Sequence, residues 1–228
     1  MATSYSPGIV RDSLSLFFDA ANTRSYPGSG TTWYNLADSS TSVTMYNGMG
    51  YESTDLGRMV LDGTNNVAQG TAPILTAHTC EAWFRPSGTP GGGFHAVFQK
   101  EGGYSGGPVY GLRVEQNQGR AYGGICYSAA AADQNYLYTG TGLSDNTWYH
   151  IATTFDSSYN WRIFLNGVFE ASTTLTANPY QVSSTLQIGS GDSRYANGQI
   201  SIVRTYSRAL TDLEVYQNFI ATKSRYGL

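Results

Sequence analysis

The chain of 228 residues carries 13 Lys and Arg against 16 Asp and Glu, a net charge of −3, and 40% of its residues are hydrophobic. Nucleic-acid binding depends on basic side chains that neutralise phosphates, and the two lysines, Lys100 and Lys223, form no basic run, so nucleic acid is not an expected partner. No stretch reaches the length of a membrane span, and residues 1–20 lack the charged start and apolar block of a signal peptide. We therefore expect no membrane partner.

Short β-strands are predicted along most of the chain, as β-branched and aromatic runs bounded by Gly, Pro, Asn and Asp. Residues 1–13 precede them as an N-terminal arm. The predicted strands cover residues 14–18, 43–46, 59–61, 79–85, 94–99, 109–115, 120–127 and 136–138, three strands within 148–170, and residues 185–188 and 199–206. Residues 129–133 are ambiguous between helix and loop. Alternation within residues 79–85 places Glu81, Trp83 and Arg85 on one face, and we expect Glu81 to pair with Arg85.

The predicted fold centres on residues 148–170, which read WYHIATTFDSSYNWRIFLNGVFE. Polar residues 156–160 and the Asn166-Gly167 pair divide this segment into three runs. Asn-Gly between extended runs indicates a type I′ hairpin, because both central residues of that turn need a positive φ. The segment therefore predicts an antiparallel meander. A second pair, Asn197-Gly198, predicts a turn before the last strand.

One helix is predicted, near the C-terminal end of the chain. Thr211 and Glu214 fit a capping box, with Thr211 as N-cap and Glu214 at N3. Leu213, Tyr216, Gln217 and Ile220 follow the helical period. Many short strands, turn-rich connections and a lone helix predict an all-β sandwich, with residues 14–228 as a single domain, since no linker or internal repeat divides them.

The two cysteines, Cys80 and Cys126, each fall inside a predicted strand. A single pair is no disulfide framework, and no Cys-x-x-Cys spacing or histidine cluster indicates zinc. We expect two buried free thiols that behave as small hydrophobic side chains, which suits folding in a reducing cytosol.

Several motifs carry a family resemblance, and their order and spacing are more specific than any one of them. They are Glu81-Ala82-Trp83, Gln99-Lys100-Glu101-Gly102, Trp148-Tyr149-His150-Ile151-Ala152, Phe155-Asp156, Phe164-Leu165-Asn166-Gly167, Leu186-Gln187-Ile188-Gly189, Gly198-Gln199-Ile200 and Arg208-Ala209-Leu210. Together they resemble LamG-like domains of the concanavalin A-like lectin/glucanase superfamily, over residues 79–219. The resemblance implies a concanavalin A-like jelly-roll β-sandwich with one short C-terminal helix. The chain departs from the family at Ser201, where an acidic residue is usual.

The opening of the chain carries a narrower resemblance. Residues 9–12, 18–22 and 25–33, the last reading SYPGSGTTW, resemble the start of LamG-like proteins in tailed-phage virions. This resemblance implies a place on the virion, after assembly in the host cytoplasm.

The residues indicate no catalytic site. Glucanase relatives place closely set carboxylates on one strand, and no Glu-x-Asp-x-Glu pattern occurs here. Asp212 and Glu214 have the right spacing but belong to the predicted helix start. The three histidines lie far apart, and we interpret His150 as a hydrogen-bonded structural residue. We expect no enzymatic activity.

Two clusters of oxygen-bearing side chains could hold calcium, which takes several oxygen ligands from loops. Asp62, Asn65 and Asn66 form one cluster. Asp156, Asn160 and Asp192 form the other. The alternative is that these side chains cap turns, as Asp and Asn do routinely. Apart from calcium, no cofactor is expected.

Loop tyrosines are the remaining candidates for a ligand-binding or interface surface. They are Tyr26, Tyr34, Tyr104, Tyr159, Tyr180 and Tyr195. Tyrosine suits protein interfaces and can also stack on sugar rings, while long loops can fold back and bury their own aromatic side chains. These three interpretations stay open on the sequence.

The sequence thus predicts a non-catalytic phage virion structural or accessory protein, either capsid decoration or a tail or fibre component. Its partners would be other virion proteins, in repeated copies or as a homo-oligomer. The alternative is a glycan-binding lectin-like module that mediates attachment to a cell surface. A glycoside hydrolase is the third hypothesis.

Overall fold

The structure is a computed structural model that describes residues 7–54, 57–90, 93–102, 108–115, 119–128, 130 and 133–228. Its strands are, in chain order, β1 (Leu14–Asp19), β2 (Thr32–Tyr34), β3 (Ser42–Tyr46), β4 (Gly50–Glu52), β5 (Arg58–Asp62), β6 (Val67–Thr71), β7 (His78–Pro86), β8 (Phe94–Lys100), β9 (Tyr110–Glu115), β10 (Arg120–Cys126), β11 (Gln134–Gly142), β12 (Tyr149–Phe155), β13 (Asn160–Leu165), β14 (Val168–Thr174), β15 (Thr185–Ile188), β16 (Ser190–Gly191), β17 (Arg194–Tyr195) and β18 (Asn197–Tyr206). Helix α1 (Asp212–Ile220) and a 3₁₀-helix (Lys223–Tyr226) follow.

Two antiparallel sheets form a sandwich, which confirms the predicted all-β fold. The first sheet has the order β14-β13-β12-β7-β18-β5-β4, and β1 also pairs with β18. The second sheet has the order β11-β10-β9-β8-β15-β6-β3-β2, and β16 and β17 form a separate hairpin. Sequence reasoning missed the short strands β2, β4, β6, β16 and β17, which are too short or too polar to show an alternation.

The core lies between the inner faces of the two sheets. Cys80, Ala82 and Phe84 alternate on β7 and pack in the same cluster as Leu112 of β9 and Leu186 of β15. Other large side chains from both sheets complete this cluster, and Trp33 of β2 is fully buried in it. The predicted inner face of β7 is therefore confirmed. Cys80 and Cys126 are buried and form no disulfide, as expected.

The predicted meander and its turn are confirmed. Strands β12, β13 and β14 pair in sequence, and Asn166 and Gly167 have φ angles of 50° and 76°. The predicted turn at Asn197-Gly198 is wrong, because both residues belong to β18 and pair with β5. Gly198 has a φ of 139°, and a Cβ there would lie 2.2 Å from the Arg85 carbonyl oxygen, so this glycine permits the close approach of β18 to β7.

The capping box of α1 is confirmed, since the Glu214 backbone donates to Thr211 Oγ1 and Thr211 N donates to the Glu214 carboxylate. The buried positions of the helix are Val215, Asn218 and Phe219, a different set from the one that the helical period selected. Leu213, by contrast, is 80% exposed. The buried set was missed because the helical period does not show which side of the helix meets the sheet.

The end of the N-terminal arm is fastened to α1 and β18. The backbone N of Val10 donates to Asn218 Oδ1 at 2.8 Å, and Tyr206 Oη donates to the Val10 carbonyl oxygen. Gln217 donates to the Gly8 carbonyl oxygen at 2.7 Å. The described part of the arm therefore packs on the domain, while the boundary between residues 13 and 14 stays a prediction.

Within the described residues, no helix is long and apolar enough to cross a membrane.

Candidate functional site

A group of aromatic and arginine side chains lies on the outer face of the second sheet. Leu112, Val114 and Ala121 point into the core, so the alternating positions of β9 and β10 point outward. The register places Tyr122 of β10 opposite Arg113 on one side and Tyr138 on the other. We call this surface the aromatic face, which consists of Phe94, Arg113, Arg120, Tyr122, Tyr136 and Tyr138.

The aromatic face is a packed group of rings built around Tyr122. The Tyr122 ring stacks on Tyr138 with centroids 4.8 Å apart and planes 28° apart. It meets Tyr136 edge-on at 5.7 Å and Phe94 edge-on at 6.2 Å. Tyr122 is buried, whereas Tyr136 is 40% exposed. Burial raises the pKa of the Tyr122 hydroxyl far above its ordinary value, so it stays protonated at neutral pH.

Guanidinium groups lie over these rings. Arg113 is 4.3 Å from the Phe94 centroid, and Arg120 is 4.6 Å from the Tyr138 centroid. Arg113 Nε and Nη2 donate to Gln99 Oε1 at 3.1 and 2.6 Å, and Arg120 pairs with Glu115 at 3.3 Å. Flat rings next to fixed N–H donors can stack on a sugar ring and bond its hydroxyls.

The β16–β17 hairpin packs against β8, and the charge of Asp192 in this hairpin acts on Glu101. Gly191 packs on Gln99 so closely that a Cβ would lie 2.2 Å from Gln99 Cδ. Burial and then the nearby charge of Asp192 raise the pKa of the Glu101 carboxyl. Sequence reasoning missed this pair because Glu101 and Asp192 lie on different strand connections, far apart in the chain.

The predicted tyrosines that the structure describes lie in separate parts of the fold. Tyr26 is buried in the core, where its hydroxyl donates to the Gly30 carbonyl oxygen, so its prediction as a ligand or interface residue is wrong. Tyr180 packs against the same core, and Tyr159 packs against Phe155. Tyr34 is exposed and lies on β2.

Two further tyrosines complete the predicted set. Tyr195 is half-buried on β17. Tyr104 falls outside the described residues, as do residues 129, 131 and 132 of the ambiguous segment. Tyr34 and Tyr195 therefore remain candidates, and the interpretation that loops bury their own aromatic side chains holds for Tyr26.

The predicted calcium ligands bond to turns. Asp62 Oδ1 accepts from the backbone N of Thr64 at 2.8 Å and of Asn65 at 3.2 Å. Asp156 accepts from the backbone of Ser158 and Asn160. Burial is the largest single contribution and raises the pKa of both carboxyls. The hydrogen bonds together outweigh it, so the pKa of each carboxyl is lower than its ordinary value. Among the described residues, no group of three His, Cys, Asp or Glu is placed to hold a metal, so the calcium sites stay a prediction.

Glu81 lies beneath α1 and does not pair with Arg85. Its Oε2 is 3.1 Å from Arg204 Nε, and Asn218 Nδ2 donates to its carboxylate at 3.0 Å. Glu81 and Arg204 are 0% exposed. Arg85 instead donates to the Asn146 carbonyl oxygen and to Gln199 Oε1, each at 2.9 Å. The predicted Glu81–Arg85 ion pair is therefore wrong.

The three histidines are buried and lie in different places. Burial lowers the pKa of His78 and of His95 to about 4, and it lowers the pKa of His150 as well. His150 is a buried structural residue, as predicted: it packs against Trp83, and its backbone N donates to Asn166 Oδ1. Its ring nitrogens, however, have no hydrogen-bond partner among the described residues. Burial of each imidazole favours its neutral form at pH 7.

The fold and this surface define an all-β, lectin-like sandwich. A family model described as Laminin_G_3, of the concanavalin A-like lectin/glucanases superfamily, matches residues 61–216. The chain belongs to this family. A comparison with curated protein sequences found no match.

Solved structures with the same fold include domains of larger proteins. The binding domain of botulinum neurotoxin DC, solved in complex with rat synaptotagmin II, matches with a TM-score of 0.69 and 11% identity, over 95% of this chain and 52% of that one. The serotype D binding domain matches with a TM-score of 0.68 and 11% identity, over 92% and 52%. A Trypanosoma rangeli sialidase matches with a TM-score of 0.66 and 14% identity, over 97% and 37%. The chain thus spans about half the length of the neurotoxin domains, and these likenesses show the fold.

Proposed function

We propose that this protein is a non-catalytic structural or accessory protein of a tailed-phage virion, either capsid decoration or a tail or fibre component, that acts through protein–protein contacts. It sits on the particle in repeated copies or as a homo-oligomer. The observation that carries the proposal is an exposed apolar surface on β14 and α1. We call this surface the docking patch, which consists of Val168, Phe169, Leu213 and Tyr216.

The docking patch joins two elements that pack side by side. Arg162 of β13 donates to the Asp212 carboxylate at the start of α1, and its guanidinium lies 4.6 Å from the Phe169 ring. Side-chain exposure within the patch runs from 43% at Phe169 to 80% at Leu213. Contiguous exposed apolar surface marks interaction sites in soluble proteins, and aromatic residues and Arg are enriched at protein interfaces.

The virion setting is supported by the opening segment, which resembles the start of LamG-like proteins of tailed phages. This segment supplies β1 to the first sheet and β2 to the second. The resemblance therefore lies in the domain itself, and Trp33, at its end, is a core residue.

Purified particles provide the test. Quantitative mass spectrometry should find the wild-type protein at a defined copy number, and Leu213→Glu should reduce its occupancy at least tenfold, because a carboxylate would be buried in the contact. Ile74→Glu is the matched control, since Ile74 is an exposed apolar residue outside the docking patch. If the wild-type protein is absent from particles, the virion proposal fails; if L213E assembles normally, the docking patch is not the contact.

Non-catalytic action is supported by the position of the carboxylates. Glu81 is fully buried under α1, where a polysaccharide cannot reach it, whereas the Glu101 carboxyl is partly exposed and has a pKa raised by burial and by Asp192. We expect wild-type protein and Glu101→Gln alike to release no reducing ends from β-glucans or host polysaccharide. Release by the wild type that disappears in E101Q would identify a hydrolase instead.

A second candidate function, a glycan-binding module that mediates attachment to a cell surface, is favoured by the aromatic face. The test is a glycan array with wild-type protein, Tyr136→Ala and Tyr46→Ala. Tyr46 is the matched control, because it is similarly exposed but lies on β3, outside the aromatic face. Signals that vanish in Y136A and persist in Y46A would support glycan binding, and an array without wild-type signal would contradict it.

A further inference from the structure

A cavity of about 580 Å³ opens beside the 3₁₀-helix, on the outer side of the first sheet. Ligand pockets in proteins commonly occupy roughly 300–1,000 Å³. The side chains that matter in its wall are Arg58, Arg85, Trp148, Arg225 and Tyr226. None of them belongs to the docking patch or to the aromatic face, so this cavity is a separate site.

Three guanidinium groups line the cavity, and two of them have carboxylate partners. Arg58 pairs with Glu52. Arg225 Nη1 donates to both oxygens of the buried Asp19, at 3.0 and 2.8 Å. These pairs hold the two side chains in place and offset their charges.

Arg85 differs from the other two arginines. Its Nε and Nη1 donate to neutral oxygens, those of Asn146 and Gln199. Within the described ranges, no carboxylate forms an ion pair with it, and its Nη2 donates to no other group. An arginine is always charged at physiological pH, so the wall of the cavity carries a positive charge with an N–H donor group still available.

Aromatic rings form a rigid wall next to Arg85. Tyr226 stacks on Trp83 with centroids 3.9 Å apart and planes 22° apart. Trp83 is fully buried, and its Nε1 donates to Thr222 Oγ1 at 2.9 Å. Trp148 meets Tyr226 at 4.9 Å. A half-buried Trp148 thus offers a fixed indole surface at a site that also presents a cation.

We propose that this cavity binds a carboxylated sugar, with Arg85 donating to the carboxylate and the sugar ring lying against Trp148. Guanidinium groups form their strongest hydrogen bonds with carboxylates and phosphates, where charge assists the bond. The aromatic wall selects a ligand in which the anion is attached to a ring. An inorganic oxyanion would use Arg85 and leave Trp148 without a contact.

Titration calorimetry on the full chain tests the proposal with glucuronate, glucose and inorganic phosphate as probes. Glucuronate should bind at least tenfold more tightly than glucose and more tightly than phosphate, and Arg85→Gln should weaken glucuronate binding at least tenfold. Arg24→Gln removes the same charge outside the cavity and should bind as the wild type does. Equal binding of glucuronate and glucose, or of wild type and R85Q, would overturn the proposal, and phosphate binding as tight as glucuronate would overturn the sugar assignment.

Arg85→Lys provides a second variant if R85Q lowers the melting temperature by many degrees. It keeps the positive charge and removes the planar fork that can hold a carboxylate through two N–H groups. We expect at least threefold weaker glucuronate binding with an unchanged melting temperature. Unchanged affinity in R85K would overturn the role of Arg85.

Discussion

At the scale of single residues, Glu81 shows how neighbours on adjacent strands outweigh neighbours on the same strand. Glu81 and Arg85 share a face of β7, but a rise of about 3.3 Å per residue separates them by roughly 13 Å along the strand. The register of β18 against β7 instead places Arg204 directly opposite Glu81. Directly opposed side chains on paired strands are the ones that interact.

The buried pair leads to a stability prediction. Glu81→Gln should lower the free energy of unfolding by about 3–5 kcal/mol, because it leaves Arg204 buried without its counter-charge. Glu52→Gln is the control, since Glu52 is partly exposed in its pair with Arg58 and such pairs contribute about 1 kcal/mol or less. Urea unfolding measures both variants. Equal losses in E81Q and E52Q would contradict the importance of burial.

At the scale of elements, local signals placed the hairpin at Asn166-Gly167 and the start of α1 correctly. Both depend on groups within a few residues of each other, a positive-φ pair in one case and a capping box in the other. The choice of buried helix face failed because it depends on what the helix meets. Asn218 faces inward to bond Glu81, Tyr206 and Val10, and these partners come from distant segments.

The hairpin turn also contacts the helix, which leads to a second prediction. A Cβ at Gly167 would lie 2.9 Å from Phe219 Cβ, whereas a Cβ at Gly48 would meet nothing within 4 Å. Both glycines have similar positive φ angles, 76° and 70°. Gly48→Ala should therefore cost about 1–2 kcal/mol from backbone strain alone.

Gly167→Ala should cost about 1–3 kcal/mol more than G48A, because Phe219 must shift in a packed region. The difference in melting temperature between the two variants measures the contact with Phe219 separately from the backbone strain that both share. Equal melting temperatures would mean that α1 moves freely away from the turn.

At the scale of the whole molecule, buried histidines make stability depend on pH. The pKa of His78 and of His95 is about 4 in the folded protein, against about 6.5 in the unfolded chain. Between these two pH values the unfolded state therefore binds more protons than the folded state. The stabilisation that comes from the neutral histidines is complete above pH 6.5 and is lost as the pH falls towards 4. The expected loss is about 2–3 kcal/mol per histidine at pH 4.

His78→Gln tests this dependence, because it removes one titrating group. Between pH 4 and 6.5, the slope of the unfolding free energy against pH should fall by up to the contribution of one bound proton. This holds whatever the absolute stability of the variant. Raised carboxyl pKa values, such as that of Glu101, act in the opposite direction and are the same in both proteins. A slope identical to that of the wild type would show that His78 does not contribute.

The two cysteines lead to a further prediction for the whole molecule. Burial raises the pKa of the Cys80 thiol far above its ordinary value, and neither cysteine forms a disulfide. Reductant should leave the melting temperature nearly unchanged, and alkylation after denaturation should modify two thiols. A fall of many degrees in reductant would reveal a disulfide worth about 2–4 kcal/mol.

The candidate sites were partly predictable. Tyr122, Tyr136 and Tyr138 occupy alternating positions in strands that were predicted, so the alternation could have selected their shared face. The pairing of residues 109–115 with residues 120–127, which the sequence predicts, places Arg113 beside Tyr122. The contribution of Phe94 depends on the place of β8 beside β9 in the sheet, which no local pattern contains. The arginine cavity depends on β5, β7 and the 3₁₀-helix meeting at one place, and the residues involved are far apart in the chain.

The sequence by itself determined most of the strands, the Asn166-Gly167 turn, the capping box and the family, because each depends on residue types at short, regular spacings. Tertiary structure alone decided the partners of Glu81, the buried face of α1, the burial of Tyr26 and the convergence of Arg85 with Trp148 and Tyr226. Charges, polar side chains and aromatic rings interact through space across strands, and the sheet register and the packing of the C-terminal helices place them next to one another.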